Sequence, residues 1–274
     1  MSRSPRKGIS LVECLVILAV LVVGAGLLVP STRNVSGAAA RTRCLSNLKE
    51  LMMALHNYES TGRPEVYPST GEPKGPIAHK MPAGCIGPGA VPEERLSWMV
   101  AILPHLEQDA LYRQFQVDRG FQENAQPAAT VLRTLWCPAA DVRSSDAVSC
   151  YVAMAGLGRE AASQPQGAPG NGFMGYDRPA SYSAIPDGAS FTIALMETRA
   201  DLGPWARGGT ATLRGFDPAD VPWYGKQRPF EGHRNGIQVA MADGATRFVS
   251  AKMSPQTLAA VMTVAGGETI PAEW

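Results

Sequence analysis

The residues that could most clearly take part in a reaction are His233 and the Asp243-Gly244 pair, which begins ten positions further along the chain. A histidine and an aspartate can support hydrolysis when their side chains meet. However, the alternation over residues 236–241 predicts a strand, and Asp-Gly followed by another extended run predicts a two-residue hairpin with a type I′ turn. His233 then lies at the entrance of the first strand and Asp243 at the far turn. We therefore expect no His–Asp pair, a turn role for Asp243 and a strand-end hydrogen bond for His233.

The remainder of the sequence contains no recognised catalytic motif. It has no Gly-X-Ser-X-Gly elbow, no His-Glu-X-X-His and no phosphate-binding loop. An exported hydrolase that uses Glu197, His233 or Asp243 is therefore the weakest function we consider. We predict that the protein is not an enzyme and requires no cofactor.

Five cysteines are present, and one of them, Cys14, lies in an apolar N-terminal segment. The other four, Cys44, Cys85, Cys137 and Cys150, are an even number that permits three disulfide pairings. We favour Cys44 with Cys137 and Cys85 with Cys150, the alternative being free buried thiols. Their spacing matches no zinc motif, so the sequence predicts no metal role for them.

Two aspartates are weak candidates for a calcium site. Asp187 and Asp243 both precede a glycine in a predicted turn, and carboxylate oxygens are the ligands that calcium prefers. Aspartate is also an ordinary turn residue because its side chain hydrogen-bonds nearby backbone amides. The turn role is the preferred interpretation, and no metal is predicted.

The N-terminus has the pattern of a membrane anchor. Residues 1–8 are basic, and residues 9–29 form an apolar run with a single charge, Glu13. At ~1.5 Å rise per residue, the length of this run matches the roughly 30 Å hydrocarbon core of a bilayer. Because the basic residues precede the apolar run, the N-terminus should stay in the cytoplasm. The sequence therefore predicts a single-pass protein of the cytoplasmic (inner) membrane with an exported C-terminal part. A plain uncleaved signal anchor, in which Glu13 is incidental, is the alternative.

The residues from Lys7 to Glu13 resemble the leader of type IV prepilins. The resemblance implies that a prepilin peptidase cuts after Gly8 and that the new first residue, Ile9, is N-methylated. The first residue after the cut is usually Phe or Met in that family, so Ile9 departs from the family's pattern. Glu13 matches the family's acid at mature position five, which implies pairing with the terminal amine of a neighbouring subunit. A carboxylate in hydrocarbon needs such a partner because its insertion costs a few kcal/mol.

Apolar periodicity predicts the elements beyond the anchor. Residues 30–60 continue the helix with an apolar stripe that should cover a β-sheet. A second helix or helix pair is predicted over residues 96–115, and loop-rich segments separate the elements. Strands are predicted at residues 131–136, 148–155, 191–197 and 236–241 and after the Asp243-Gly244 turn. The predicted organisation is a leader (1–8), a transmembrane helix (9–29), its amphipathic continuation (30–60) and an exported α+β domain (61–274).

Overall composition agrees with one anchored globular unit. The formal net charge is +1, and no clustered basic face suggests binding of nucleic acid. The 28 glycines and 22 prolines predict many turns and long surface loops.

Several motifs, taken in order, resemble the DUF1559 family of prepilin-leader proteins from planctomycete-type bacteria. They include the His-X9-Asp-Gly pattern of His233, Asp243 and Gly244, together with segments from the first helix onward. The other matching segments are residues 44–49, 54–58, 97–98, 103–104, 106–108, 111–112, 137–138, 185–188 and 265–268. The resemblance implies a pilin-like α+β fold, in which a long N-terminal helix packs on an antiparallel sheet with loop-rich insertions.

Two functions remain open at this stage. The first is a pilin-like or pseudopilin-like structural subunit, which assembles with other pilin-like subunits through its membrane-embedded helix into a pilus or a secretion-type pseudopilus. The alternative is a membrane-anchored exported module that binds a protein or glycan and does not polymerise. Expected partners are the prepilin peptidase, other pilin-like subunits and membrane lipid.

Overall fold

The computed structural model of the chain describes residues 11–62 and 79–270. The leader residues 1–8 and Ile9 lie outside the described residues. Two compact units are present, residues 1–40 and residues 41–274. The protein is an α+β protein, as predicted.

Helix α1 spans Leu11–Thr61. Its part within the second unit is rich in leucine and methionine, which favour helix. The helix ends where Gly62 takes a positive φ of 52°, a left-handed conformation that glycine adopts easily. Between residues 41 and 61 the predicted stripe is confirmed, since Leu48, Leu51 and Leu55 are fully buried, whereas Met53 is exposed.

In the first unit, the described side chains of α1 are mostly apolar and exposed. Among the described residues, no helix combines the length and the hydropathy that a membrane crossing requires. Eight large apolar side chains are exposed between residues 11 and 21. They are Leu11, Val12, Leu15, Val16, Ile17, Leu18, Val20 and Leu21.

In the described part of the second unit, seven strands and four short α-helices follow α1, with 3₁₀ turns between them. A two-stranded sheet pairs β1 with β2, and a five-stranded sheet has the order β5-β3-β4-β6-β7. In chain order the elements are β1 (Cys85–Ile86), β2 (Leu96–Ser97), α2 (Trp98–Ala101), α3 (Asp109–Tyr112), α4 (Ala125–Ala128), β3 (Tyr151–Leu157), β4 (Ile193–Glu197), β5 (Leu213–Phe216), β6 (Gly236–Met241), β7 (Thr246–Ser250) and α5 (Pro255–Ala260).

The larger sheet is mixed, which corrects the expectation of an antiparallel sheet. Strand β3 pairs antiparallel with β4 but parallel with β5, and the β4–β6 and β6–β7 pairs are antiparallel. After β4 the chain crosses to the far side of β3, so β5 enters the edge in the same direction as β3. A four-residue strand carries no sequence signal for its direction, and the crossover could not be read from the pattern.

The two faces of the sheet bury different side chains because successive strand residues point to opposite faces. On β3, Ala153 and Ala155 belong to the core that contains the buried stripe of α1. Val152 and Met154 belong to the opposite core, which α5 closes through Leu258. Small residues on one face let α1 lie close to the strands, and larger residues fill the space beneath α5.

Two predicted elements differ from the structure. Residues 131–136 are not a strand, because a 3₁₀ turn occupies Arg133–Leu135. Residues 96–115, where the pattern predicts a second helix or a helix pair, form the two four-residue helices α2 and α3 with a 3₁₀ turn between them. Pro104, which has no amide hydrogen, lies in a 3₁₀ turn there, and Glu107 ends that turn with a left-handed φ of 58°.

The predicted hairpin is present, but its turn differs from the type I′ expectation. Strands β6 and β7 pair in register, with Ala240 opposite Thr246. The Met241 amide donates to the Ala245 carbonyl at 2.8 Å, which leaves a three-residue loop. Only Gly244 in that loop has a positive φ, 88°, as in a type I turn followed by a left-handed residue. The Asp243 side chain stabilises this loop, because its Oδ1 accepts a hydrogen bond from the Ala245 amide at 2.8 Å.

Candidate functional site

Four side chains with metal-binding chemistry meet inside the second unit. One ligand atom from each of Cys44, Cys137, Glu197 and His233 lies within 4.8 Å of the others. All four residues are buried, with exposed fractions of 0% for Cys44 and Glu197, 2% for Cys137 and 4% for His233. This cluster, called the C2EH cluster below, is the candidate functional site.

Each member comes from a different part of the fold. Cys44 lies on α1 and Glu197 is the last residue of β4. Cys137 follows the 3₁₀ turn at Arg133–Leu135. His233 stands before β6 in a tight turn that the Gly236 amide closes by donating to the His233 carbonyl. The cluster therefore depends on the assembled sheet and helix rather than on a local motif.

Hydrogen bonds between these elements hold the cluster together. The Asn47 side chain, one turn after Cys44, donates to the Trp136 carbonyl at 3.0 Å and to the Tyr151 hydroxyl at 3.1 Å. The first bond ties α1 to the residue before Cys137. Tyr151 is also the direct strand partner of Glu197 in the β3–β4 ladder. Asn47 thereby links three of the segments that supply the cluster.

The contacts within the cluster centre on the imidazole. His233 Nε2 lies 3.1 Å from Glu197 Oε1 and 3.7 Å from Cys137 Sγ. Glu197 Oε2 accepts from the Gln238 amide at 3.2 Å. No group in the described part of the chain makes a hydrogen bond of good geometry to Glu197 Oε1. Its near neighbour is the His233 ring at 3.1 Å, so the buried carboxylate is paired by charge but lacks a well-aligned donor at Oε1.

The electrostatics of the cluster favour a protonated Cys137 when no cation is bound. The hydrogen bond with Cys44, followed by burial, raises the pKa of Cys137 far above its usual range. Burial alone would lower the pKa of His233, but its hydrogen bonds with Cys137 and Glu197 and the Glu197 charge raise it to about 9. Protonated, inaccessible thiols are poor nucleophiles. The arrangement can hold a cation but offers no open position to a substrate.

All four cysteines outside the apolar N-terminal segment are free thiols, so neither expected disulfide is formed. Cys44 and Cys137 are neighbours, and Cys150 belongs to the same apolar cluster. Cys85 lies elsewhere, on β1, where its sulfur faces Gly208. The favoured Cys85–Cys150 pairing is therefore wrong in this structure. Burial raises the pKa of Cys85 to about 11 and that of Cys150 to about 12, which keeps both protonated near neutral pH.

The other candidate residues lie apart from the C2EH cluster. Asp243 and Gly244 occupy the turn beyond β6, whereas His233 precedes that strand, so the predicted separation of His233 and Asp243 is confirmed. The side chain of His233 nevertheless has a partner set that the sequence did not suggest. Glu13 lies in the first turn of α1 and is exposed. Gly8 lies outside the described residues.

The weak calcium candidates make hydrogen bonds to backbone amides instead of forming a common site. Asp187 accepts from the Gly266 amide at 2.7 Å and from the Gly267 amide at 3.0 Å. Neither Asp187 nor Asp243 belongs to the ligand group found among residues 11–62 and 79–270.

Sequence reasoning missed the C2EH cluster because no short spacing connects its members. Cys137 and His233, for example, are 96 residues apart in the chain. A weak signal was available, since Cys44, Cys137 and His233 all lie in motifs that carry the family resemblance. Glu197, an acid that ends an otherwise apolar strand, was the remaining hint.

The fold defines an α+β protein in which a long N-terminal helix packs on a mixed sheet. Residues 37–232 match the family described as "Protein of unknown function (DUF1559)", and the chain belongs to that family. The match ends immediately before His233, so the His-X9-Asp-Gly pattern lies beyond it. No curated protein and no solved structure matches the chain.

Proposed function

We propose that the protein is a pilin-like structural subunit that assembles with other copies or related subunits through its N-terminal helix. In this proposal residues 9–29 anchor the chain in the cytoplasmic membrane, and the second unit is the exported head. The observation that carries the proposal is the exposed apolar surface of α1 between residues 11 and 21.

That surface is too large and too apolar to be explained as an ordinary water-facing helix. Exposed fractions in the segment range from 55% at Ile17 to 77% at Leu11. A helix that is apolar all round is normally buried in a core or a membrane. Since full burial of one such side chain stabilises by roughly 1.5–3 kcal/mol, covering eight of them contributes on the order of 10 kcal/mol. Lipid and the helices of other subunits supply that cover in the proposal.

Glu13 gives the assembly its specificity. It is the single acid in the apolar run 9–29, and an acid in such surroundings needs a positive partner. Cleavage after Gly8 would create a terminal amine on Ile9 of each subunit. We propose that this amine pairs with Glu13 of the next subunit and that the pairing sets the stagger between neighbouring helices.

The test compares Glu13→Ala with Glu123→Ala, a matched variant at an exposed acid of the head. Both are expressed in the native host, and the fraction of the protein in sheared or cross-linked assemblies is measured beside the membrane-bound fraction. We expect Glu13→Ala to abolish co-assembly but to leave the membrane-bound fraction unchanged, and Glu123→Ala to behave as wild type. Mass spectrometry should find a native N-terminus at methylated Ile9.

Two outcomes would contradict the proposal. One is a mature protein that retains its first eight residues. The other is wild-type assembly, or uniform lack of assembly, in all three proteins. Membrane-bound wild type that never associates would favour the alternative of a tethered binding module.

A further inference from the structure

We propose that the C2EH cluster is a structural zinc site, in which Cys44, Cys137, Glu197 and His233 each supply one ligand to a single Zn²⁺. The inference goes beyond the proposed function and does not depend on assembly. It rests on the donor set, the spacing of the ligand atoms and the carboxylate oxygen that lacks a well-aligned donor.

The donor set suits zinc. Two thiolates and an imidazole are characteristic zinc ligands, and a carboxylate completes a four-coordinate site. Calcium and magnesium prefer oxygen ligands only, so two sulfurs argue against them. Because the protein provides all four ligands and all four are buried, the site has the closed form of a structural centre.

The distances are compatible with a four-coordinate site. Bonds of ~2.3 Å to sulfur and ~2.0 Å to nitrogen or oxygen place ligand atoms roughly 3.3–3.8 Å apart around zinc. The observed separations from His233 Nε2 are 3.1 Å to Glu197 Oε1 and 3.7 Å to Cys137 Sγ. All four atoms lie within 4.8 Å of one another. The two pairs at His233 Nε2 need shifts of a few tenths of an ångström at most, and any pair as wide as 4.8 Å must close by about 1 Å to complete the ligand sphere.

Glu197 Oε1 faces the other three ligand atoms and is available to bind a cation. The residue is fully buried, and Oε1 has no well-aligned hydrogen bond from any described group, although its other oxygen has one. A bound cation satisfies that oxygen directly. On binding, Cys44 and Cys137 lose their thiol protons and His233 loses its Nε2 proton to solvent, and no electrons are transferred.

Groups around the cluster are arranged to support its ligands. The Ala139 amide donates to Cys137 Sγ at 3.4 Å, a contact that favours a thiolate. The Arg199 guanidinium donates to the Ala139 carbonyl at 2.8 Å and to the Gly232 carbonyl, so it clamps the segments that carry Cys137 and His233. Outer contacts of this kind orient metal ligands.

The consequence is a cross-link inside the second unit, between residues 41–61 of α1 and the sheet. One zinc ion would join α1, the segment after the 3₁₀ turn, the end of β4 and the turn before β6. Metal binding of this kind stabilises the fold, because the site does not exist in the unfolded chain. The same site explains the absence of a Cys44–Cys137 disulfide, since both sulfurs serve the metal.

The experiment measures zinc in the full-length protein, purified in detergent and under reducing conditions. We expect about one zinc per chain by elemental analysis, and an X-ray absorption spectrum with two sulfur and two nitrogen or oxygen neighbours. Cobalt substitution should give the charge-transfer absorption of thiolate-bound Co²⁺. Bound zinc should fall at least roughly tenfold in His233→Gln and Glu197→Gln. Cys85→Ala, a buried thiol that lies elsewhere, on β1, and His79→Gln, an exposed histidine, should retain it.

The spectra of the wild-type protein decide the question even if a ligand variant fails to fold. The proposal is overturned if reduced wild type neither contains zinc nor takes it up from added zinc chloride. It is equally overturned if the absorption spectrum lacks sulfur neighbours, or if a folded His233→Gln variant binds zinc as wild type does. A Cys44–Cys137 disulfide in freshly isolated protein, seen as the loss of two hydrogens in intact mass, would also refute it.

Discussion

Asn47 and Asn57 offer a stringent test of how residues 41–61 of α1 are attached to the rest of the second unit. They are the same residue type on the same helix, but Asn47 is 8% exposed whereas Asn57 is exposed to solvent. Substitution of either by alanine raises helix propensity equally, so that effect cancels in the comparison. The difference between the two variants therefore isolates the buried contacts of the Asn47 side chain.

The magnitude follows from those contacts. Asn47→Ala removes two hydrogen bonds, each with a net worth of about 0.5–1.5 kcal/mol, and leaves the buried acceptors Trp136 and Tyr151 short of a donor. The Tyr151 hydroxyl, 3.4 Å from the Trp136 carbonyl, can recover part of that loss. We expect the free energy of unfolding to fall by about 2–3 kcal/mol for Asn47→Ala and by less than about 0.5 kcal/mol for Asn57→Ala.

The assay is equilibrium unfolding of the full-length variants in detergent by urea, followed by tryptophan fluorescence. A thermal melt of the same samples gives a second readout. At roughly 2–4 °C per kcal/mol for a domain of this size, the melting temperature should fall by about 4–12 °C for Asn47→Ala. If the two variants unfold within about 0.5 kcal/mol of each other, the described attachment of α1 through Asn47 is wrong.

Two other predictions use the same assay. Leu51→Ala should destabilise the protein by about 2–5 kcal/mol because Leu51 is fully buried between helix and sheet; Met53→Ala, on the exposed side, should change stability by less than about 0.5 kcal/mol, and equal effects would contradict the buried stripe. Arg178→Met should cost about 3 kcal/mol or more, since the buried guanidinium donates to the carbonyls of Gly172 and Ala155 at 2.7 and 3.0 Å; wild-type stability of this variant would show that those carbonyls have other donors.

Much of the fold could be predicted from local patterns. The apolar stripe of α1, strands β3, β4 and β6, and the hairpin at Asp243-Gly244 all follow from periodicity and turn chemistry. These features depend on residues within a few positions of one another. The boundaries near Pro104 and Arg133 were less predictable, because short apolar runs fit a strand, a 3₁₀ turn or a short helix equally well.

The candidate site was almost wholly unpredictable. The sequence showed a cysteine on a helix, a cysteine before a proline, an acid at a strand end and a histidine before a strand. Each of these is commonplace alone, and the spacing matched no metal motif, so the metal role was rejected. The residues gain chemical meaning only when the order of the sheet brings them within 4.8 Å.

The sequence by itself determined the long apolar-then-amphipathic helix, the presence of the β6–β7 hairpin and membership of the DUF1559 family. Those features arise from the spacing of residues that are close together in the sequence. Tertiary structure alone decided the parallel placement of β5 beside β3 and the meeting of Cys44, Cys137, Glu197 and His233. Crossovers and helix–sheet packing set those contacts, and both depend on burial summed over the whole domain rather than on any one segment.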